Sequence, residues 1–311
     1  MLVVAALGGN ALLKRGEKLS AENQRANVKT AALALAGIVR AGHRLVVTHG
    51  NGPQVGLLAL QSAAGPAETQ YPLDVLGAES EGMIGYLIEQ ELRNALPEQK
   101  LFATLLTQSV VDAADPAFKH PTKPIGPVYD EATAQKLAAA RGWSVAPDGQ
   151  YWRRVVASPK PMAILEVAEI KLLVDQGAVV TCAGGGGIPV VQAKDGALSG
   201  VEAVVDKDLA SALLALALGA DRLLLLTDVD AVYAGYGTPN ARAILRTSPA
   251  LLQRDSFASG SMGPKAVAAA GFAAASGQTA AIGRLEDALA LVQAEAGTQV
   301  DPHTIKVVYR S

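Results

Sequence analysis

The stretch "GAVVTCAGGGGIPVV" at residues 177–191 contains four consecutive glycines between two apolar runs. The first run, residues 177–184, is apolar without polar alternation, a pattern typical of a strand buried on both faces of a sheet. Glycines after such a strand form either a flexible linker or a bare turn whose backbone a ligand can approach. Linkers are more often rich in serine and charged residues, and this stretch contains neither.

Two further glycine stretches follow predicted strands, "ALGGNALL" at residues 6–13 and "VTHGNGPQVG" at residues 47–56. Strand-like and helix-like runs alternate along the chain, which predicts an α/β fold with a mostly parallel sheet covered on both faces. Ligands of such sheets lie beyond the carboxyl ends of the strands. All three glycine stretches are expected there, so we expect them to converge on one crevice.

The apolar patterns also predict where the individual elements lie. The predicted strands are 2–7, 43–50, 101–108, 177–184, 221–230, 278–283 and 303–309. The predicted helices are 20–39, 54–63, 74–95, 166–176, 206–218, 262–276 and 285–294. Residues 113–162 interrupt this alternation with clustered prolines and both tryptophans. Within them, "PDG" (147–149) before "QYWRRVV" (150–156) predicts a hairpin turn. We interpret residues 113–162 as a small lobe inserted into a single domain that spans residues 1–311.

Composition narrows the class of protein. The 311 residues carry 27 basic and 29 acidic side chains, a formal net charge of −2, which does not fit a basic nucleic-acid interface. The single cysteine, Cys182, cannot form an intrachain disulfide, and a reducing cytoplasm fits that count. No signal peptide or membrane span is recognisable, so we expect a cytoplasmic protein without a membrane partner.

Lysines and aspartates supply the candidate chemistry. Lys207 and Lys265 each fall in the first turn of a predicted helix, where the helix dipole disfavours a cation unless an anion is bound there. Asp208 is placed to orient both lysines by ion pairing or to reach Mg²⁺ through water. Lys123 is flanked by prolines in the predicted lobe. A surface position is the simpler interpretation of Lys123.

Anion-binding loops, lysines and aspartates together indicate phosphoryl transfer, which needs positioning and charge stabilisation more than covalent help. The sequence has no G-x-x-x-x-G-K-[ST] motif and no Cys/His cluster typical of a zinc site. No general base is evident, which favours an acceptor that is already an anion. Cys182 is expected to be a core residue, and His49 fits either a structural hydrogen bond or the edge of a ligand site.

A set of motifs in chain order resembles the carbamate kinases, which belong to the amino-acid kinase fold family. The motifs are "GGNAL" (8–12), "THGNGPQVG" (48–56), "PLDV" (72–75), "EGMIGY" (81–86), "KPIGPVY" (123–129), "GGGGIPV" (184–190), "GVEAVVDKD" (200–208), "LTDVDAVY" (226–233) and "GSMGPK" (260–265). Each motif alone is shared with other kinases of that fold, but the combination is specific and covers nearly the whole chain.

The resemblance implies an open three-layer αβα sandwich with a small protruding lobe over the active site, and a homodimer. It also implies the reaction ATP + carbamate ⇌ ADP + carbamoyl phosphate with Mg²⁺, used to make ATP in arginine fermentation.

The resemblance carries site roles onto matching positions. Lys123, Lys207, Asp208 and Lys265 would be catalytic, with no protein metal ligand. The substrate would be held by Gly8, Gly9, Asn10, Gly50, Asn51, Gly52, Gly184 and Gly185. The nucleotide would lie near Lys207, Asp228, Tyr233, Met262 and Lys265.

Two positions depart from the family pattern. Leu76 and Glu81 stand where cysteine and glutamine are expected, in a stretch that we expect to shape a helix near a dimer contact without altering catalysis. Two other functions stay open from the sequence. One is a different kinase of the same fold that acts on a carboxylate or a small phosphorylated substrate. The other is a non-catalytic nucleotide-binding protein.

Overall fold

The computed structural model describes residues 1–14, 16–254, 257 and 262–310, and only the backbone of Asn10 and Ala67. Residues 260 and 261 of the "GSMGPK" motif lie outside these ranges. In the described ranges the α-helices are α1 Ala21–Arg40, α2 Gly52–Ser62, α3 Leu73–Ala95, α4 Glu131–Arg141, α5 Val167–Asp175, α6 Lys207–Leu218, α7 Pro249–Leu252, α8 Met262–Ser276 and α9 Ala288–Val292. None of these helices is long and apolar enough to span a bilayer.

Most of the strands are short and lie between these helices. They are β1 Leu2–Leu7, β2 Arg44–His49, β3 Phe102–Thr104, β4 Gln108–Val111, β5 Lys123–Tyr129, β6 Ser144–Asp148, β7 Tyr151–Val156, β8 Pro161–Ile164, β9 Val179–Thr181, β10 Ile188–Gln192, β11 Leu198–Gly200, β12 Arg222–Thr227, β13 Val232–Ala234, β14 Arg242–Thr247, β15 Thr279–Arg284, β16 Thr298–Val300 and β17 Val308–Tyr309.

The central sheet has the order β13-β14-β16-β15-β12-β1-β2-β9-β3, with β17 paired to β14. The run from β15 to β3 is parallel throughout, while β13, β16 and β17 add antiparallel pairs toward the other edge. This confirms the predicted α/β fold with a mostly parallel sheet. Because the β1, β2 and β9 strands are neighbours and parallel, the loops after them emerge side by side at one edge.

Apolar side chains of β1 alternate between two cores, one on each face of the sheet. Val3, Ala5 and Leu7 pack with α1, α3 and α9, whereas Val4 and Ala6 pack with α5, α6 and α8. These helices form the outer layers of the predicted three-layer sandwich. Burial of one such side chain, Leu7, stabilises the fold by about 1.5–3 kcal/mol.

Side-chain and glycine caps define the ends of α6, the helix that carries two predicted catalytic residues. Asp206 accepts hydrogen bonds from the backbone N–H groups of Asp208 and Leu209 at the start of the helix. Gly219 ends the helix in the left-handed conformation, with φ of 65°. An aspartate at the N-cap and a glycine at the C-terminal end are the signals expected for a helix over these residues.

Two smaller sheets extend from the main one. The four-stranded sheet has the order β11-β10-β4-β8, and the three-stranded sheet has the order β5-β7-β6. The three-stranded sheet and α4 are built from the interior of the predicted 113–162 segment. Asp148 pairs with Tyr151 across the β6–β7 turn, where Gly149 has a φ of 65°, and this confirms the predicted hairpin.

Several predicted elements differ from those observed. Residues 101–108 contain β3 and only the first residue of β4, because the pairing with β9 ends at Leu105 and the Thr107 N–H bonds to the Glu81 side chain. Residues 285–294 form a 3-10 turn followed by the short α9. Residues 303–309 hold only β17, and the sheet is instead extended by β16, which the sequence did not single out.

A close backbone contact joins the three-stranded sheet to α2. A Cβ atom added at Gly56 would overlap the Cα atom of Gly126 in β5. The Gly56→Ala variant must push β5 away from α2, and we expect it to be destabilised by about 1–3 kcal/mol in denaturant unfolding. The matched control is Gly271→Ala in α8, where the added Cβ meets no atom within 4 Å.

Gly271→Ala should be more stable than wild type by about 0.5–1 kcal/mol, because alanine restricts the unfolded chain. Equal unfolding midpoints for the two variants would show that the α2–β5 contact tolerates a methyl group.

Candidate active site

The three glycine stretches follow β1, β2 and β9 and meet at the carboxyl edge of the sheet. A Cβ atom at Gly50 would lie 3.8 Å from the backbone nitrogen of Gly9 and 3.4 Å from Cδ of Lys207. The loops after β1 and β2 therefore lie directly beside the N-terminus of α6. Gly8 joins this edge to β12, because its N–H donates to the Leu226 carbonyl at 3.0 Å.

The four-glycine loop after β9 is a folded turn rather than a flexible linker. Its residues 184–186 form a 3-10 turn, with the Gly186 N–H bonded to the Ala183 carbonyl and the Gly187 N–H bonded to the Gly184 carbonyl. Two side chains hold the start of the turn. Thr107 Oγ1 accepts from the Ala183 N–H at 2.9 Å, and Glu81 Oε1 accepts from the Gly184 N–H at 2.7 Å.

Gly185 is the loop residue that most clearly requires glycine. Its φ is 65°, and an added Cβ would overlap the side-chain amide of Asn51. Asn51 is itself buried at the start of α2, where its Nδ2 donates to Ser80 Oγ at 2.8 Å. The predicted substrate residues Asn51 and Gly185 are thus packed directly together.

Lys207, Asp208 and Lys265 form a cluster where α6 and α8 begin, in which Asp208 and Lys265 are buried and Lys207 is largely buried. Lys207 Nζ lies 2.5 Å from Asp208 Oδ1, and Lys265 Nζ lies 3.2 Å from Asp208 Oδ2. Burial lowers the pKa of Lys265, and the charge of Lys207 lowers it further, whereas Asp208 raises it. One carboxylate thus holds two ammonium groups that repel each other, as the ion-pairing hypothesis for Asp208 predicts.

Lys123 is paired at this edge and is not a plain surface lysine. Its Nζ lies 2.6 Å from Asp206 Oδ2, while Asp206 Oδ1 caps α6 by accepting from the Asp208 N–H at 2.9 Å. Burial alone would raise the pKa of Asp206, but Lys123 holds it below its ordinary value. Gly52, the first residue of α2, faces the same strand, since its added Cβ would lie 3.9 Å from the Pro124 carbonyl oxygen.

Three residues predicted to lie near the nucleotide are on separate elements: Asp228 follows β12, Tyr233 lies on β13 and Met262 begins α8. Asp228 lines a 470 Å³ cavity between the β12 and β15 ends that Lys14 and Arg284 also line. Tyr233 lies on β13 and donates to Asp230 at 2.9 Å, and Met262 packs against the core at the start of α8. The Asn10 side chain lies outside the described part of the chain.

The amino acid kinase family profile matches residues 1–284. The chain belongs to the amino acid kinase family. A carbamate kinase of Rhizobium meliloti is 58% identical over 96% of this chain and 92% of its own length. A carbamate kinase of Haemophilus influenzae is 53% identical over 99% of both chains. The carbamate kinase of Giardia lamblia bound to AMP-PNP is 42% identical, with a TM-score of 0.87 over 96% of this chain and 98% of its own.

These relatives place the chain among the carbamate kinases of the amino acid kinase family and make it a phosphotransferase of the kinase class. The observed cluster suits that class. Two largely buried ammonium groups beside bare backbone can stabilise charge on a phosphoryl group and need no covalent intermediate.

The sequence did not assign site roles to three side chains that build the site of this kinase, Asp206, Ser80 and Glu81. Asp206 was the first residue of the predicted helix 206–218 and is observed as its N-cap, but its pairing with Lys123 joins distant segments. Ser80 and Glu81 lie on the buried stripe of α3, at helical spacing from Ile84 and Ile88. Glu81 contacts the four-glycine loop, a placement that the expectation of a helix near a dimer contact did not include.

His49 and Cys182 are both buried. His49 Nδ1 lies 3.0 Å from the Gly50 carbonyl oxygen, and burial lowers its pKa to about 4, so the imidazole is neutral near pH 7. This geometry favours the structural hydrogen bond over a position at the ligand edge. Cys182 is 1% exposed, and burial raises the pKa of its thiol well above the usual value, as expected for a core residue.

We expect Cys182→Ala to keep kcat within about threefold of wild type, because a buried neutral thiol is a poor nucleophile. Folded wild-type protein should resist labelling by an aromatic disulfide reagent and should react with it stoichiometrically in denaturant. A folded Cys182→Ala variant with abolished turnover would contradict a noncovalent mechanism.

Proposed function

We propose that this chain catalyses reversible phosphoryl transfer, ATP + carbamate ⇌ ADP + carbamoyl phosphate. The observation that carries the proposal is the buried Lys207–Asp208–Lys265 cluster at the sheet edge, beside the glycine loops that follow three neighbouring parallel strands. The carbamate kinases to which the chain is similar support carbamate as the acceptor. The Giardia lamblia complex with AMP-PNP supports an adenine nucleotide as the donor.

In this proposal the protein positions two anions and neutralises the charge that develops between them. Backbone N–H groups of the loops at Gly9 and Gly185 face the carbamoyl phosphate side, whereas the N–H of Gly50 donates to the Leu7 carbonyl. Lys207 and Lys265 hold the transferring phosphoryl group, and Asp208 keeps the two ammonium groups in place. Carbamate already carries a negative oxygen, so the reaction requires no general base to activate it.

Kinases of this kind use a divalent cation with the nucleotide, and we propose Mg²⁺. Both oxygens of Asp208 bind lysines, and both oxygens of Asp206 are taken by Lys123 and by helix N–H groups. The residues described hold no group of three or more acidic, histidine or cysteine side chains suited to a metal. The cluster therefore does not fit a protein-held ion, and we assign the cation to the nucleotide phosphates.

Coupled detection of ATP tests the proposed reaction directly. Purified protein with Mg²⁺, ADP and carbamoyl phosphate should form ATP, whereas acetyl phosphate and glutamyl phosphate should serve poorly. Asp208→Asn should lose on the order of 100-fold or more in kcat, because the lysines lose the charge that orders them. Efficient phosphorylation of an amino-acid carboxylate, with no turnover of carbamoyl phosphate, would assign the chain to a different kinase reaction.

The predicted lobe at residues 113–162 is proposed to act by closing over the bound substrates. Support comes from Lys123, which reaches the N-cap of α6 from the three-stranded sheet. That sheet rests on α2 through an apolar cluster of its own, which includes Val55, Ile125 and Val156. A lysine delivered by lobe closure acts mainly after both substrates are bound.

Substitution of Lys123 and of Lys265 should therefore have different effects on kcat and on the Kd of ADP. Lys123→Ala should lose on the order of 100-fold in kcat, with the Kd of ADP measured by calorimetry nearly unchanged. Lys265→Ala should weaken ADP binding as well as kcat, because its ammonium belongs to the main-sheet cluster that is proposed to hold the nucleotide phosphates. Lys136→Ala, an exposed lysine on α4 in the same segment, is the control that should match wild type.

If Lys123→Ala turned over at the wild-type rate, the proposed catalytic role of the lobe would be wrong. An unchanged Kd of ADP for Lys265→Ala would instead show that Lys265 does not contribute to nucleotide binding.

The remaining features are also proposed from the family resemblance. They are a homodimer, a cytoplasmic location and use of the reaction to make ATP in arginine fermentation. For the homodimer, exposed apolar side chains of α3 and the adjoining loop offer a surface, with Tyr86 at 56% and Leu106 at 52% exposure.

A further inference from the structure

Glu81 lies beneath the four-glycine loop. It is 1% exposed on α3 and is surrounded by the turn after β9 and the segment before β4. Its Oε1 accepts from the Gly184 N–H at 2.7 Å and its Oε2 accepts from the Thr107 N–H at 3.2 Å. A Cβ added at Gly184 would lie 2.8 Å from Cγ of Glu81, so the side chain is packed directly against the loop backbone.

These bonds decide which N–H group of the loop remains available. Glu81 takes the N–H of Gly184, and the turn itself takes those of Gly186 and Gly187. Within the described residues, the N–H of Gly185 has no acceptor that corresponds to the carboxylate and carbonyl oxygens bound by Gly184, Gly186 and Gly187. Gly185 is also the residue that packs on Asn51 at the start of α2.

We propose that Glu81 is a positioning residue that holds Gly184 inward, so that the Gly185 N–H is presented to the substrate anion. The inference rests on the proposed function and adds to it a residue that touches no substrate itself. Without the acceptor, the buried Gly184 N–H would be unsatisfied, and the turn would rotate to find a partner.

The protonation state of Glu81 bears on this role. The titratable groups that face it are Glu166 at the start of α5, Cys182 at the end of β9 and His49 at the end of β2. In the parts of the chain that the structure describes, no lysine or arginine lies within ion-pair distance of Glu81. Burial therefore raises its pKa to about 8, with the N–H groups of Thr107 and Gly184 opposing the shift and Glu166 adding to it.

Two consequences follow from a carboxyl group that ionises near pH 8. Below that pH the neutral acid still offers a carbonyl oxygen to Gly184 and adds no charge. Above it, a negative charge lies under a loop proposed to bind an anion, so the KM for carbamoyl phosphate should rise. Because the folded pKa exceeds the unfolded value, stability is highest at low pH in this window and falls as pH rises from about 4.5 to about 8.

Glu81→Gln separates the acceptor from the charge, since the amide keeps an oxygen but cannot ionise. Wild type should show a rise of about threefold or more in the KM for carbamoyl phosphate between pH 7 and pH 9.5, and Glu81→Gln should stay within about twofold. Glu81→Ala should raise that KM by roughly tenfold at every pH, because it removes the acceptor. Glu91→Gln, a buried carboxyl on the same helix away from the loop, should keep the wild-type pH profile.

A second measurement needs no turnover. The difference in thermal midpoint, Glu81→Gln minus wild type, should increase from pH 6 to about pH 8 and level off above it, whereas the Glu91→Gln difference should stay constant. Calorimetry with inorganic phosphate then tests anion binding by folded Glu81→Ala, which should be weaker than that of wild type.

Failure of this inference and failure of the proposed reaction are distinguishable. Absence of ATP formation by wild type would refute the proposed reaction. The thermal midpoints and the calorimetry with inorganic phosphate would still test the role of Glu81. Parallel midpoint curves for Glu81→Gln and wild type, or unchanged KM and phosphate affinity in folded Glu81→Ala, would overturn the positioning role.

Discussion

The ion pairs of Asp208 with Lys207 and Lys265 are the constraint on which the rest of the site depends. Two ammonium groups in a buried position repel each other, and removal of their shared carboxylate would leave both without compensation. The pairing fixes the starts of α6 and α8 against each other at the carboxyl edge of the sheet. The glycine loops lie at the same edge, so the lysine ammonium groups and the exposed loop backbone line one region of the protein.

Helix capping links this cluster to the small three-stranded sheet. Asp206 uses one carboxylate oxygen to cap α6 and the other to hold Lys123, so a local signal for a helix start also attaches a distant segment. The contact between Gly56 and Gly126 brings β5 close enough for that reach. The position of Lys123 therefore depends on these two contacts together with the apolar cluster of Val55, Ile125 and Val156.

Two residues of the four-glycine loop require glycine for different reasons. Gly185 needs a positive φ and lies against Asn51, and Gly184 is pressed between His49 and Glu81. Polar side chains beneath the loop hold it by accepting the N–H groups of Ala183 and Gly184. Because the Glu81 carboxyl is buried beneath the turn, its ionisation is coupled to the conformation of the loop that is proposed to bind an anion.

Local sequence patterns determined the fold class, most helices, the hairpin at Gly149 and the lysines and glycines of the candidate site. They could do so because buried strands, helix caps and turns are properties of neighbouring residues. Tertiary structure alone decided the pairing of Lys123 with Asp206, the contact of Glu81 with Gly184 and the extension of the sheet by β16. Each of these joins segments far apart in the chain, and no local periodicity records which distant partner a side chain meets once the helices pack.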